Sequence, residues 1–105
     1  MLRNYTPHNV YIEGVGTLKS EGVARLKEER RTVKVGFVKQ GLPYTAVRYT
    51  EIEGLPEAHN GDVFIVSRPV AEFAKLPHIV CPDDYIRDDK GQIVGCNGVA
   101  WFPPV

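Results

Sequence analysis

Apolar residues recur at alternate positions in several short stretches of this chain, and Gly, Pro and Asn separate the stretches. Val10 and Ile12 fall on one face with Tyr11 on the other, predicting a strand over 9–13 that Gly14-Val15-Gly16 ends. Val33, Val35 and Phe37 alternate with Lys34 and Gly36, predicting a strand over 32–38. Thr45, Val47, Tyr49, Thr50 and Ile52 supply the β-branched and aromatic content of a long strand over 44–52. Val63-Phe64-Ile65-Val66 is a continuous apolar run, which suits a strand over 62–66 covered on both faces. Residues 21–31 admit two readings. Helix formers dominate and Val23 and Leu26 are three apart, yet the charges would also guard an edge strand. The strand is favoured.

The period changes after Asn60-Gly61 and the run that follows it. Val70, Phe73, Ala74 and Leu76 lie close to one helical face. Ser67 stands where an N-cap belongs, Pro69 fits the first turn, and Pro77 is a stop. These signals predict a helix near 68–76. Beyond it, His78 to Cys81 reads as a short strand broken by Pro82-Asp83-Asp84. Tyr85–Arg87 and Gln92–Cys96 read as a hairpin around Asp88-Asp89-Lys90-Gly91. Asn97-Gly98 signals a further turn before Val99–Phe102. The triplets Gly41-Leu42-Pro43 and Gly54-Leu55-Pro56 read as turns. The expected fold class is α+β: a mainly antiparallel sheet of six or seven short strands with one helix, in a single domain over 1–105.

Composition adds limits. With 105 residues, 43% of them hydrophobic and 25% charged, the chain fits one ordinary globular domain. No apolar run reaches the roughly 18 residues of a membrane helix, and the N-terminus has no signal-peptide pattern. A cytoplasmic protein is expected, in the host cell if phage-encoded, with no membrane partner. Thirteen basic and thirteen acidic residues cancel, but residues 1–54 carry a net +3 and residues 55–105 a net −3. This is weak for nucleic acid, so no nucleic-acid partner is expected. It fits two halves that fold against each other; the alternative is a basic surface for a small anion, or a head-to-tail contact between subunits.

Candidate chemistry is sparse. Cys81 and Cys96 flank the hairpin turn as core thiols. With His8, His59 and His78 scattered, no zinc spacing exists, so neither a metal nor a cofactor is expected. Asp83, Asp84, Asp88 and Asp89 lack the alternation of a calcium loop. The best candidate site is the strand-to-helix junction, where Ser67 offers a hydroxyl and Arg68 a guanidinium suited to phosphate or carboxylate. Thr6 and His8 add a hydroxyl and an imidazole, and Arg48 a further cation. The aromatics Tyr5, Tyr11, Tyr44, Tyr49, Trp101 and Phe102 offer stacking surfaces or subunit anchors, and a homo-oligomer is expected.

Three motifs carry a family likeness. They are Thr6-Pro7-His8, then Gly54-Leu55-Pro56-Glu57 with Phe64-Ile65-Val66-Ser67-Arg68-Pro69-Val70-Ala71, then Pro82-Asp83-Asp84 with Asp89-Lys90-Gly91-Gln92-Ile93-Val94-Gly95-Cys96. In this order they resemble small proteins encoded in bacteriophage and actinobacterial genomes. The resemblance implies a phage setting and carries over no functional residues. Combined with the anion-friendly junction, it leads to the expectation of a non-enzymatic binder of a nucleotide or phosphate-containing signal, acting as a counter-defence sponge. The alternatives are a small enzyme acting on a nucleotide or phosphoester, with His8 as acid/base and Arg68 as charge stabiliser, and a protein-interaction module.

Overall fold

The computed structural model describes residues 1–33 and 44–104. Its elements run β1 (Leu2–Asn4), β2 (Val10–Ile12), β3 (Gly16–Leu18), β4 (Arg25–Val33), β5 (Tyr44–Glu53), β6 (Val63–Ile65), α1 (Arg68–Ala74), β7 (Ile79–Arg87) and β8 (Ile93–Ala100). Six strands form one sheet in the order β1-β6-β7-β8-β2-β3, while β4 and β5 pair only with each other. The two ends of the large sheet meet. Asn4 bridges Ser20, and the Glu21 N–H donates to the Asn4 carbonyl at 2.8 Å. The sheet is thereby curled almost into a barrel.

The α+β class holds, but the sheet is mixed rather than mainly antiparallel. β1–β6, β6–β7 and β2–β8 are parallel, whereas β2–β3 and β7–β8 are antiparallel. For β6–β7 the cause lies in the predicted helix. Residues 66–78, with α1 among them, carry the chain from β6 back to the start of a neighbouring strand, the crossover that a parallel pair requires. The run 63–66 is buried on both sides, as its composition predicts. Phe64 and Val66 join a core with Tyr5, Ala24, Val70, Ala71, Ile79 and Cys81 beneath α1. Ile65 joins Ile12, Val80 and Cys96 inside the barrel.

α1 is only seven residues long. Ser67 occupies the cap position with extended backbone, but its side chain makes no capping bond, and Lys75 ends the helix at φ 51°. Two further expectations are corrected. Pro82-Asp83-Asp84 does not break the strand, because β7 runs from Ile79 to Arg87. β6 pairs with β7 only as far as Val80, so Pro82 lies where one edge of β7 is unpaired, a place where strands tolerate proline. Asp84 absorbs the bend at φ 54°. Asn97-Gly98 is not a turn. It lies within β8, with Gly98 opposite Asp83. The turn at 88–91 already closes this hairpin, through the Asp88 carboxylate accepting from the N–H groups of Lys90 and Gln92 at 2.9 and 3.0 Å.

Residues 21–31 resolve in favour of the strand, from Arg25 onward. Thr32 and Val33 lie in β4. The rest of the predicted strand over 32–38, and the turn at 41–43, lie outside the described residues. β4 and β5 form a long antiparallel ribbon rooted on the core through Leu26 and Ile52. Beyond that root, residues 27–31 and 45–51 are exposed. The radius of gyration is 17.2 Å, against about 13 Å for a compact chain of this length, so the molecule is elongated.

Candidate functional site at the root of the ribbon

The five residues singled out by sequence do not form one cluster. Thr6 is buried, and its hydroxyl lies 2.7 Å from Asn4 Oδ1 and 2.8 Å from the His8 carbonyl. Asn4 is itself buried, and its amide donates to the His8 and Leu18 carbonyls at 2.8 and 2.9 Å. The Thr6-Pro7-His8 segment is therefore tied to the closure of the barrel through the side chain of Asn4. Arg48 lies out on the ribbon, where it is bonded to Glu29, and this partner raises its pKa. Arg68 turns back along the helix. It bonds Glu72 at 3.0 Å and covers the Phe102 ring at 5.2 Å, and the same carboxylate holds it charged.

Ser67 is placed differently. Among the described residues its hydroxyl has no side-chain partner, and it lines a cleft of about 420 Å³ between the ribbon root and the start of α1. That cleft also receives Pro7, so parts of two of the sequence motifs do meet. Its apolar lining includes Val23, Leu26, Pro69 and Val70, with Arg25, Glu28 and Tyr49 at its polar edge. Arg25 makes no ion pair among the described residues, unlike Lys27, Arg30 and Arg48. Tyr49 is 46% exposed. The cleft thus brings together a guanidinium, two hydroxyls and an aromatic ring above an apolar lining.

Sequence reasoning noted Tyr49 only as an aromatic. The signal that selects Tyr49 is the strand register. Leu26 stands opposite Ile52 and Glu28 opposite Tyr49, so Tyr49 shares the face that Leu26 and Ile52 press onto the core.

Comparison with protein-family models, with curated proteins and with solved structures returns no match.

His8 lines a second cleft, of about 300 Å³, with Val10 and with Tyr85, Ile93 and Val94 of the β7–β8 hairpin. Cys96 reaches this cleft too, but its thiol is spent on the Tyr11 carbonyl at 3.6 Å. Burial pushes the pKa of both Cys96 and Cys81 upward, which disfavours a thiolate at either. Among the described residues, no group of three or more His, Cys, Asp or Glu side chains could hold a metal ion. No helix among them is long and apolar enough to cross a membrane.

Proposed function

We propose that the protein binds a small anionic ligand bearing a planar ring, of the nucleotide class, in the cleft at the ribbon root, and does not transform it. The observation that carries this reading is the grouping of Arg25, Tyr49 and Ser67 around an apolar lining. A guanidinium forms the paired hydrogen bonds that a phosphate accepts. A tyrosine ring stacks on a base, and a serine hydroxyl serves a sugar or a phosphate oxygen. A volume of about 420 Å³ lies within the usual range of small-molecule sites. Neither an imidazole nor a thiol is among the described lining residues, which favours a binder over a hydrolase. The enzyme alternative needs His8 and Arg68 to act together, yet His8 lines the other cleft and Arg68 is engaged with Glu72. In the phage setting that the motif resemblance implies, such a binder withholds a host signal by holding it.

The test is calorimetric titration with a panel of mononucleotides, cyclic dinucleotides and inorganic phosphate. One nucleotide is expected to bind, and phosphate alone to bind far more weakly. Arg25→Ala should cost that nucleotide about ten- to a hundredfold in affinity at unchanged melting temperature. Arg68→Ala should leave the affinity as it is. Heat denaturation of the complex should return the nucleotide intact. Failure of the whole panel to bind, or release of a product, overturns the reading.

A further inference from the structure

The cleft at the ribbon root also holds a carboxylate. Glu28 lines it and stands directly opposite Tyr49 in the register of β4 and β5. A negative charge beside a phosphate site works against the phosphate unless hydrogen-bond donors meet it. The chain itself does not supply them. Among the described residues Glu28 accepts no hydrogen bond, and its ion pair with Arg30 spans 3.7 Å with the Arg30 and Glu28 side chains 66% and 41% exposed. Glu29, on the other face of the ribbon, is by contrast bonded to Arg48. An exposed pair of the Glu28–Arg30 kind is worth little and yields readily to a better partner.

Side chains directly opposite in an antiparallel pair have Cβ atoms about 4.5–5.5 Å apart. The Glu28 carboxylate is therefore within reach of the rim of a ring laid flat on Tyr49. Arg25 lies three residues earlier in β4, roughly 10 Å back along the strand, so cation and carboxylate stand on the two ends of a span. A nucleotide has the same polarity, with its phosphate held apart from its base by the sugar.

The charge of Glu28 also discriminates among bases. An ionised carboxylate accepts hydrogen bonds and donates none, and its two oxygens take two parallel donors. Guanine offers such a pair on one edge, in its neighbouring N1–H and 2-amino groups. Adenine and cytosine set their amine beside a ring nitrogen whose lone pair opposes a carboxylate, and uracil sets one N–H between two carbonyl oxygens.

We infer that the cleft selects guanine nucleotides, and that Glu28 reads the base, its carboxylate accepting from N1–H and the 2-amino group of a guanine stacked on Tyr49. The inference rests on the proposed nucleotide site and adds to it the identity of the base.

Calorimetric titration with GMP, IMP and AMP, and with the cyclic dinucleotides of guanine and of adenine, tests it. In whichever class binds, the guanine form should bind roughly ten- to a hundredfold more tightly than the adenine form. IMP, which keeps N1–H but lacks the 2-amino group, should fall between GMP and AMP. Glu28→Gln should abolish the preference, since an amide accepts from one donor and turns its own NH₂ toward the other. Its melting temperature should hold, because Glu28 is exposed. Tyr49→Leu should weaken the guanine and adenine forms alike and leave their ratio unchanged. Equal affinity for guanine and adenine forms, a preference for adenine, IMP as tight as GMP, or a guanine preference that survives Glu28→Gln overturns the inference and leaves the nucleotide site standing. Binding of no nucleotide at all removes the site, and the base reading with it.

Discussion

Tyr49 stands opposite Glu28 in the ribbon, while only two residues further along β5 Glu51 stands opposite Lys27. Thr50 is the extra residue between them, and its hydroxyl donates to the Lys27 carbonyl at 3.4 Å. A strand with one residue too many would ordinarily exchange its two faces at that point. Here the bulge absorbs the extra residue, so Tyr49 and Val47 stay in phase with Ile52.

Deleting Thr50 should therefore leave a regular strand, in which Glu51 follows Tyr49 directly and Tyr49 and Val47 keep the face of Leu26 and Ile52. Nucleotide binding is expected to survive the deletion. The melting temperature should move little, because residues 45–51 are exposed. Calorimetry and circular dichroism on one preparation check both.

Gly54 fixes the point where β5 ends and the chain turns back. Its φ is +93°, and a Cβ there would lie 2.2 Å from the Val23 carbonyl oxygen, beside the cleft. Gly54→Ala should destabilise the fold by about 3 kcal/mol or more. Gly61→Ala, also at positive φ but with nothing within 4 Å of the added carbon, should cost only about 1 kcal/mol. Urea titration of both variants measures the difference.

Asn4 uses both ends of its amide. Its carbonyl accepts the Thr6 N–H at 2.9 Å, and its NH₂ serves two backbone carbonyls. Asn4→Asp replaces those donors with oxygens facing oxygens. A loss of about 3 kcal/mol is expected, since buried polar groups left unpaired cost about 1–3 kcal/mol each. Thr6→Val should cost about 1 kcal/mol and leave the ligand affinity unchanged. An affinity loss larger than the stability loss would return Thr6 to the binding site.

The two thiols give a pH signature. Burial raises both pKa values, so the folded chain holds these protons at a pH where the unfolded chain releases them. Stability should be flat below the ordinary thiol pKa of roughly 8.5 and fall as pH rises beyond it. A Cys81→Ala/Cys96→Ala double variant should lose that alkaline decline. Oxidation should not cross-link the pair. Cys81 faces Ala100 and Cys96 faces Tyr85, four residues apart along β7 and hence roughly 13 Å, beyond the reach of a disulfide.

Where the local pattern was strong, the sequence was legible. The alternation in 44–52 and the apolar run 63–66 both became strands, and Pro69 with Pro77 bracketed the helix. β1 and β3 escaped notice because three residues hold too little periodicity, and both owe their place to long-range partners. The parallel pairs were legible only in part. The helix was expected, but its role as a crossover depends on which strands it joins. Asn97-Gly98 misled because a turn dipeptide carries no information on whether the strand has partners on either side. The candidate site was the least legible part. Ser67 could be seen from its place before the helix, but Arg25 and Tyr49 join it only through register and folding back, over distances that no local pattern reports.

The closure of the barrel also dictates an order of events in time. Ile12 pairs with Cys96 and Leu2 with Val63, so the first strands of the chain wait for partners near its other end. At roughly 5–20 residues per second of synthesis, β2 waits on the order of ten seconds for β8. The ribbon needs no such delay, since its strands are near neighbours in sequence and a hairpin forms in about 1–10 μs once both are free. During synthesis the ribbon is thus complete before the core that anchors it exists, with Leu26 and Ile52 as exposed as Tyr49 and Val47. The cross-strand charges on its other face, Lys27 with Glu51 and Glu29 with Arg48, keep that side hydrated through the interval in which the nascent chain is most prone to stick to its neighbours.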